Sequence, residues 1–571
     1  MRRVLLFVAL VAPLQLSSQT FEGIEAVMKI LGHTEPEEVD SDDVERLSHY
    51  LQNPLQINRS RASDLQASGL FSAYQTASFI DYRSRHGVVY SYTELAAVEG
   101  FGSDFVDILK PFICLDMSAG TMNSSSRRMR HDLVLKGSLR SGEGYAYGIK
   151  YKFDTGKFRI SISGSSPYSS IYFPPSYISG NITWKHNLGQ IVIGDYNARF
   201  GQGLCLWNTA VIGGLSTPSA FMKKPSGASP TYSFTGSSAL TGVAGEMSIG
   251  KWKTTLMLAV PGIKQVGRKP EDMIMMPALN LARMGRLGQV SVTHVMKFSD
   301  WLAKDYRIPQ MRTSCDASVC VRGVNLFTEA VYDWVNGSVA VVGGMDVMIL
   351  EKLRMAALMR FLPAEGFSNE HGAAVSAEMI MKKITGNISA DVCFHPNSKT
   401  ADGRKSIQVK LQSDWNYRVT EILELKLRVS ERLRTWGDRF RTDCRMESVL
   451  NLHHFHAAMR LNVLKCVGVG SLGYVEGGYK DDLLTACLRA GVFMIDEWSD
   501  RIYVYERDAP GNFNVPAFYG RGYWLALNGG WRPVRWCRLY LRASWTDYPF
   551  MKKEKRKPGK AELKIQAVFR L

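Results

Sequence analysis

The spacing of apolar and polar side chains changes along this chain. Between residues 55 and 113 apolar side chains recur every three to four positions, which predicts short amphipathic helices. From about residue 145 onward the period falls to two. Leu423, Leu425 and Leu427, for example, alternate with charged residues, which predicts a β-strand. We therefore expect a small all-α domain followed by a large sheet.

The strand-like segments are typical of a transmembrane β-barrel. They are about 8–12 residues long, carry one apolar and one polar face, and are separated by Gly, Asn, Asp and Pro. Lys and Arg inside strands are costly against lipid but acceptable toward a wet lumen. A soluble sandwich or propeller is the alternative, but no blade-length repeat is visible. At about 20 residues per strand and turn, residues 131–571 predict an antiparallel barrel of roughly 18–22 strands.

The N-terminal residues 1–20 predict export. Two arginines precede an apolar run and a short polar region, which is the order of a secretory signal peptide. No later apolar run reaches the roughly 20 residues of a transmembrane helix. We therefore expect an outer-membrane protein in contact with outer-membrane lipid, with its N-terminal domain in the periplasm. Aromatic residues near predicted strand ends fit interface girdles, namely Tyr145, Trp184, Trp207, Trp252, Trp415, Tyr503 and Trp545.

The helical region divides into a lead-in and two helix–turn–helix units. Residues 21–54 are polar with helical spacing, and residues 55–116 contain the two units. Ser91 and Glu94 have the spacing of a capping box that begins a helix. Residues 117–130 are small and basic and form a predicted linker to the barrel.

This tandem pattern resembles the helix-hairpin-helix family, in particular the ComEA-type module of competence DNA receptors. The resemblance implies that each hairpin presents backbone amides at a helix N-terminus to a DNA phosphate. It is closest at the second hairpin, because the first lacks a second glycine and hinders a close approach. The implied nucleic-acid or partner-binding residues are the two turns and a local basic cluster: Gly69, Leu70, Phe71, Ser72, Gly100, Phe101, Gly102, Ser103, Arg59, Arg61, Arg83 and Arg85.

The charge distribution argues against strong DNA binding by this module. The whole chain has a net charge of +17, but residues 21–116 hold 16 acidic and 7 basic side chains, a net of −9. Residues 117–571 are left with +24. A DNA-binding module should itself carry the basic excess, because counterion release supplies most non-specific affinity. Two kinds of partner remain, DNA or another polyanion, and a periplasmic or envelope protein.

Two stretches of the barrel region, residues 190–207 and 501–521, have unusual composition. They resemble a group of Bacteroidota-type outer-membrane proteins that pair a helix-hairpin-helix module with a large barrel, which implies an architecture and no activity. Asp195, Arg199 and Gln202 are candidates to line a constriction or to bind an inserted plug. The glycines alternatively mark a strand bend. The barrel motif comprises Gly194, Asp195, Tyr196, Phe200, Gly201, Gln202 and Gly203.

We expect no catalytic residues, no metal and no cofactor. The sequence contains neither a Gly-x-Ser-x-Gly elbow nor a His-Glu-x-x-His motif. The histidines at 453, 454 and 456 lack a ligand spaced to complete a metal site, and we interpret them as a solvated lumen patch. Among nine scattered cysteines, Cys315 and Cys320 are near enough for a local disulfide, and whether they are bridged is left open.

Two functions of different classes follow. In the first, barrel and module form a platform or conduit for envelope transport, in which a basic lumen attracts a polyanion and the hairpins engage DNA. In the second, the module is purely a protein-docking element and the barrel is a structural anchor without transport. A barrel enzyme is a third interpretation with less support from the sequence.

Overall fold

The structure is a computed structural model that describes most of residues 23–571. The residues outside the description are 1–22, 40, 116–128, 169–174, 209–215, 232, 235–237, 261–273, 300–306, 351, 400–402, 404, 553 and 555. The predicted signal peptide and nearly all of the predicted linker therefore lie outside the described residues.

The described N-terminal part, called the helical domain (residues 23–115), has a single apolar core. Val27 and Leu47 from the lead-in pack with Leu70, Phe101 and Leu109 from the two helix–turn–helix units. The helices are α1 (Gly23–Leu31), α2 (Ser41–Gln52), α3 (Ala62–Ser68), α4 (Ala73–His86), α5 (Tyr92–Ala97) and α6 (Gly102–Leu109). A short parallel pair, β1 (Leu55–Gln56) and β2 (Ile113–Cys114), joins the two ends of the hairpin region.

Capping side chains set the start of α4 and α5. Ser72 Oγ accepts from Gln75 N at 3.1 Å, and Gln75 Oε1 accepts from Ser72 N at 2.9 Å. At α5 one half of the predicted capping box is present, since Ser91 Oγ accepts from Glu94 N at 3.0 Å, whereas the Glu94 carboxylate accepts from Tyr90 N at 2.8 Å in place of Ser91 N. Each contact satisfies an amide that the helix itself leaves without a partner.

The remaining strands form one closed antiparallel barrel of 24 strands, in which β29 pairs with β3. A short extra strand, β8, pairs with the end of β7, and β25 and β26 form a separate pair. The strands are β3 (Arg130–Arg140), β4 (Gly144–Asp154), β5 (Phe158–Ser166), β6 (Tyr177–His186), β7 (Gly189–Arg199), β8 (Gly227–Pro230), β9 (Leu240–Ile249), β10 (Trp252–Ala259), β11 (Met276–Gly285), β12 (Gly288–Ser299), β13 (Arg307–Val321), β14 (Val324–Asp333), β15 (Ser338–Leu350), β16 (Leu353–Leu362), β17 (Glu370–Ile380), β18 (Ile384–His395), β19 (Ser406–Arg418), β20 (Leu423–Arg434), β21 (Phe440–Asn451), β22 (Phe455–Lys465), β23 (Val469–Lys480), β24 (Leu484–Ile495), β25 (Ile502–Tyr503), β26 (Ala517–Phe518), β27 (Gly520–Val534), β28 (Cys537–Asp547) and β29 (Lys560–Arg570).

The barrel has more strands than the roughly 18–22 expected from a porin-like spacing. The reason is that many connections are very short. Asn187 and Leu188 alone join β6 to β7, and Gly250 and Lys251 alone join β9 to β10. The same length of chain therefore holds additional strands.

The predicted alternation of faces is confirmed. On β10, Leu256 is 60% exposed, whereas its neighbours Thr255 and Met257 are 0% and 5% exposed. Such outward apolar side chains recur around the barrel and form a surface that suits hydrocarbon, while the inward face is largely polar. The barrel therefore lies in the outer membrane. None of the helices in the described part of the chain is long and apolar enough to cross a bilayer.

Connection lengths orient the barrel. The two-residue turns after β6 and β9 lie at one end, whereas the long segment between Ile495 of β24 and Gly520 of β27 lies at the other. Outer-membrane barrels keep short turns in the periplasm and long loops outside. We therefore assign the end that holds the short turns to the periplasm.

The disulfide considered between Cys315 and Cys320 is absent, and both thiols are free. Both residues lie on β13, where side chains alternate between the two faces. Cys315 is exposed on the outer face, and Cys320 is buried on the inner face. Their odd separation along the strand therefore points the two sulfurs to opposite sides of the sheet.

Candidate functional site

The helical domain lies inside the periplasmic end of the barrel. Arg61 donates to the carbonyl oxygen of Asn187 in the β6–β7 turn at 3.0 Å. Gln66 Nε2 donates to Gln289 Oε1, near the start of β12, at 2.5 Å. The domain is thus on the periplasmic side, as predicted, and it plugs the lumen, which the sequence analysis did not predict.

Carboxylates of the helical domain pair with arginines of the barrel wall at mid-height. Glu35 lies 2.6 Å from Arg428 on β20 and also pairs with Arg445 on β21. Glu37 lies 3.1 Å from Arg460 on β22. The acidic excess of the domain therefore neutralises part of the basic lumen of the same chain.

A second ion-pair group joins the domain to β7. Asp43 pairs with Arg199 of the barrel and, at 2.7 Å, with Arg46 of its own helix. Burial alone would raise the pKa of Asp43, but the two guanidinium groups outweigh it and hold that pKa at about 2. Burial likewise acts to raise the pKa of Glu35, and its arginine partners bring it below its usual range. Both carboxylates are therefore charged at neutral pH.

The barrel motif around Gly194 folds as a strand bend next to a buried carboxylate. Gly194 has φ +108°, and a Cβ there would lie 2.3 Å from the carbonyl oxygen of Gly180. Asp195 is 1% exposed and accepts from Gly180 N at 2.9 Å and from Thr241 Oγ1 at 2.6 Å. Tyr196 is fully buried beside it. Asp195 thus joins neighbouring strands and does not line a constriction.

The chain turns into the lumen after β7 and forms what we call the first strap, the described residues 200–208 and 216–226. Its turn includes Phe200, Gly201, Gln202 and Gly203 of the barrel motif, and it surrounds Glu329 of β14. The carboxylate of Glu329 accepts from the amides of Gln202, Leu204 and Cys205 at 2.7, 3.0 and 3.1 Å. Gly201 has φ +57°, and a Cβ there would lie 2.7 Å from that carboxylate carbon, so the position favours glycine.

The first strap holds the helical domain from the extracellular side. Thr217 Oγ1 donates to the carbonyl oxygen of Gly32 at 2.6 Å, and Lys224 Nζ donates to that of Ile30 at 2.8 Å. Burial lowers the pKa of Lys224 to about 7. Trp207, expected in a membrane girdle, instead lies on this strap with the Arg199 guanidinium 5.6 Å from its ring centroid.

The second strap, residues 498–519, also folds inward and contains most of the second unusual stretch. Tyr505 N donates to Glu37 of the helical domain at 3.0 Å, and Phe513 packs against the domain core. Arg507 pairs with Glu476 of β23 at 2.9 Å. Tyr503, like Trp207, was expected in a membrane girdle and lies on a strap instead. The strap therefore links the wall to the domain.

The first hairpin is inaccessible in this arrangement. Leu70, Phe71 and Ser72 are 0%, 3% and 3% exposed, and the carbonyl oxygen of Leu70 accepts from Lys224 at 3.4 Å. Gly69 is buried with them. This turn packs within the protein and presents no surface to a polyanion.

The second hairpin opens onto a cleft of about 1180 Å³ between the domain and the wall. Phe101 is buried in the domain core, whereas Gly100, Gly102 and Ser103 are exposed. The opposite wall of the cleft includes Lys382 on the periplasmic side of the barrel. The structure thus buries the first hairpin and exposes the second, which is the one with the Gly-x-Gly turn.

The predicted basic cluster serves mainly internal contacts. Arg83 donates to the carbonyl oxygens of Ile57, Asn58 and Ser60 at 2.9, 3.0 and 2.7 Å. Arg85 pairs with Asp81 at 2.9 Å, and Arg61 binds the barrel turn described above. Arg59 is exposed and has a partner of its own. These side chains therefore do not converge on one external ligand.

The histidine run lies at the periplasmic rim. His454 Nδ1 is 3.0 Å from the carbonyl oxygen of Lys480, and His456 Nδ1 is 2.7 Å from Asn451 Oδ1. Among the described residues no group of three or more His, Cys, Asp or Glu side chains is arranged to hold a metal ion.

The site residues that the sequence analysis missed are the wall arginines 428, 445 and 460 and the plug carboxylates 35, 37 and 43. The net charges of −9 and +24 for the two parts of the chain were the available signal. They indicated complementary partners, but not that each part is the partner of the other.

Comparisons with known proteins show similarity in architecture alone. No protein-family model matches the sequence, and no curated protein matches it. Among solved structures, the siderophore receptor PirA from Pseudomonas aeruginosa is 7% identical, with 78% of this chain and 81% of that chain covered and a TM-score of 0.40. The copper transporter OprC is 8% identical, covering 78% and 80%, with a TM-score of 0.41. The FrpB iron transporter from Neisseria meningitidis is 8% identical, covering 77% and 81%, with a TM-score of 0.38. Similarity at this level assigns neither a family nor a cargo.

Reversing the charge of Glu35 should release the helical domain. Glu35→Lys places a cation against two arginines, and loss of one partner from a buried pair costs about 3 kcal/mol or more. We expect the helical domain of the purified full chain to become much more sensitive to trypsin. Adding Arg445→Glu should restore resistance. Asp107→Gln on an exposed face is the control, because it removes a carboxylate without adding a trypsin site. Unchanged resistance of Glu35→Lys would contradict the assigned contacts.

Acid should weaken the same interface. Because the folded pKa of Asp43 is depressed to about 2, its stabilising contribution is complete above the usual value of 3.8 and is lost as the pH falls toward 2. Conductance in planar bilayers should therefore rise between about pH 4 and pH 2. Asp43→Asn with Glu35→Gln should remove this acid-dependent step. A step of equal size in the double variant would place the titrating groups elsewhere.

Glu329→Gln should loosen the first strap. It replaces a carboxyl group whose two oxygens accept from three backbone amides with a side chain that has one acceptor oxygen and an NH2 donor. A buried backbone amide left without an acceptor costs about 1–3 kcal/mol. Cleavage by trypsin after Lys223 should accelerate about tenfold or more. Glu143→Gln, in an exposed turn, controls for the loss of one carboxylate. Equal cleavage rates for both variants would show that Glu329 does not hold the strap.

Proposed function

We propose that this protein is a non-enzymatic outer-membrane transport barrel gated by its own acidic helical domain. The domain closes the lumen from the periplasmic side, and cargo passes when the domain shifts away from the wall. The single observation that carries this proposal is the pairing of domain carboxylates with wall arginines inside the lumen. Glu35 with Arg428 and Arg445 is its clearest instance.

The character of the interface supports a movable plug. Within the helical domain the core is apolar, whereas contacts between domain and wall are mostly ion pairs and hydrogen bonds. Polar interfaces between domains of one chain resemble transient ones, and relative motion is their usual behaviour. The two straps limit that motion from the extracellular side, so displacement toward the periplasm is favoured.

A cleavable tether tests the gate directly. Gln66→Cys and Gln289→Cys, in a background without the nine native cysteines, can be joined by a short reducible thiol crosslinker. In planar bilayers at about 1 M salt, where charges are strongly screened, we expect openings without the tether, silence with it, and openings again after reduction. A crosslink between Arg140→Cys and Glu562→Cys, which joins two wall strands, is the matched control.

Each alternative has its own outcome in this experiment. Equal conductance with and without the plug tether would show that the helical domain is not the gate. Silence of the untethered protein in every condition would instead favour the structural anchor, with the module as a docking element for an envelope partner.

DNA binding by the helix-hairpin-helix module is the second candidate function, and the exposure of Gly102 and Ser103 is what favours it. Only the second hairpin is available for it while the domain lies in the barrel. DNA uptake would then begin at this hairpin and involve the cleft beside it.

Titration of the full chain with labelled duplex and single-stranded DNA tests this candidate. Binding should be detectable at low salt, weaken steeply as salt rises, and fall in Ser103→Asp. Thr93→Asp, at an exposed position outside the hairpin, controls for the added charge. Absence of binding at low salt would remove the DNA-receptor function.

A further inference from the structure

Three cationic residues form a row across neighbouring strands in the extracellular half of the lumen. Lys410 on β19 lies opposite Arg432 on β20, and Arg432 lies opposite Arg441 on β21. Their neighbours Leu411 and Phe440 are exposed on the outer face, so the row faces the lumen. Like charges in directly opposed positions destabilise a sheet. Asp391 on β18 lies opposite Lys410 but pairs with Arg360 at 2.7 Å. Arg432 and Arg441 therefore require compensation from some other group.

Within the described part of the chain, no carboxylate lies within 4.0 Å of these three cations or of Arg434, which follows two positions after Arg432. The charged side chains that interact electrostatically with Arg432 include Arg434 and Arg441, which carry the same charge, and Asp438, which carries the opposite charge. The Nε atoms of Arg432 and Arg434 are buried without a hydrogen-bond partner among the described residues. The second strap satisfies Arg441 only with carbonyl oxygens, those of Ser499 at 3.0 Å and Arg501 at 3.4 Å.

The same two strands show what such an arrangement binds. Arg428 and Arg445 are also directly opposed on β20 and β21, nearer the periplasm. Glu35 of the helical domain lies between them and pairs with both. An opposed pair of arginines on these strands is thus able to hold one carboxylate. Arg432 and Arg441 are opposed in the same way nearer the extracellular end, beyond the reach of the helical domain. In the described part of the chain no carboxylate lies between these two arginines.

We propose that Lys410, Arg432 and Arg441, with Arg434 beside them, form a binding site for a compact anion that enters from the extracellular side. The anion carries carboxylate or phosphate oxygens, since the planar guanidinium group matches both in bidentate contacts. Rings of Arg and Lys are the usual lining of anion-selective pores. Such a site defines the chemical class of the cargo in the proposed transport function. Binding of the anion does not depend on that function, whereas its passage after binding rests on it.

Calorimetric titration of the detergent-solubilised full chain tests the site, with citrate and pyrophosphate as probes. Wild type should bind at least one of them, and binding should weaken with salt. Arg432→Gln and Arg441→Gln should each weaken binding by about tenfold or more. Arg439→Gln, an exposed cation in the connecting turn, should stay within about twofold of wild type. Citrate and pyrophosphate separate a carboxylate site from a phosphate site.

The Arg432→Gln variant should fold, because it removes repulsion, and its thermal unfolding midpoint should be at least that of wild type. Addition of the bound anion should raise the midpoint of wild type and not that of the variant. If neither citrate nor pyrophosphate binds, or if Arg432→Gln binds the probe as tightly as wild type, the site is overturned. The titration needs no movement of the helical domain. A barrel that binds anions but stays silent in bilayers would therefore refute the transport function and leave the site intact.

Discussion

Positive charge inside a closed barrel must be compensated, and this requirement organises the protein. Arg428 and Arg445 face each other across two strands inside the lumen, where their side chains are 13% and 12% exposed. Their mutual repulsion is relieved when Glu35 of the helical domain lies between them. Charged groups in such surroundings are tolerated only with partners of opposite sign. The basic lumen of the barrel therefore explains why the domain that it encloses is acidic.

The two straps fix the position in which electrostatic attraction holds the helical domain. Each leaves the extracellular end of a strand, enters the lumen and contacts both wall and domain. Glu329 fixes the turn of the first strap through three amides, and Tyr505 of the second strap donates to Glu37. The apolar core lies within the domain, with Phe513 of the second strap packed against it, and the contacts between domain and wall are mostly polar. This division allows the domain to remain folded when it separates from the wall.

Local patterns in the sequence predicted much of the architecture. The period-two segments, with Leu423, Leu425 and Leu427 as one example, indicated strands with a lipid face, and Ser91 with Glu94 indicated a helix start. Both depend on residues close in the chain. The pairing of Glu35 with Arg428 and Arg445 joins positions that are distant in sequence, and no local signal contains it. The strand number was underestimated for a related reason, because turn length depends on how neighbouring strands meet.

The candidate site was likewise predictable from the sequence only in part. The glycine and acidic residues of the barrel motif were identifiable as unusual, but only the fold shows that Arg199 binds the helical domain whereas Asp195 joins strands. The sequence separates the two hairpins only by the second glycine of the later one, whereas the structure buries Leu70 and Phe71 and exposes Gly102. Exposure depends on where the domain lies in the barrel, which single-sequence patterns do not encode.

Hydrogen–deuterium exchange of the full chain in lipid nanodiscs tests the central claim most directly. Salt weakens the pairs that hold the domain in the lumen but leaves the apolar contacts and hydrogen bonds of the strands intact. Amides of α2 and of the segment around Glu35 should be protected at low salt and exchange faster as salt rises, while barrel strands stay unchanged. Rapid, salt-independent exchange in that segment would contradict an electrostatically held plug.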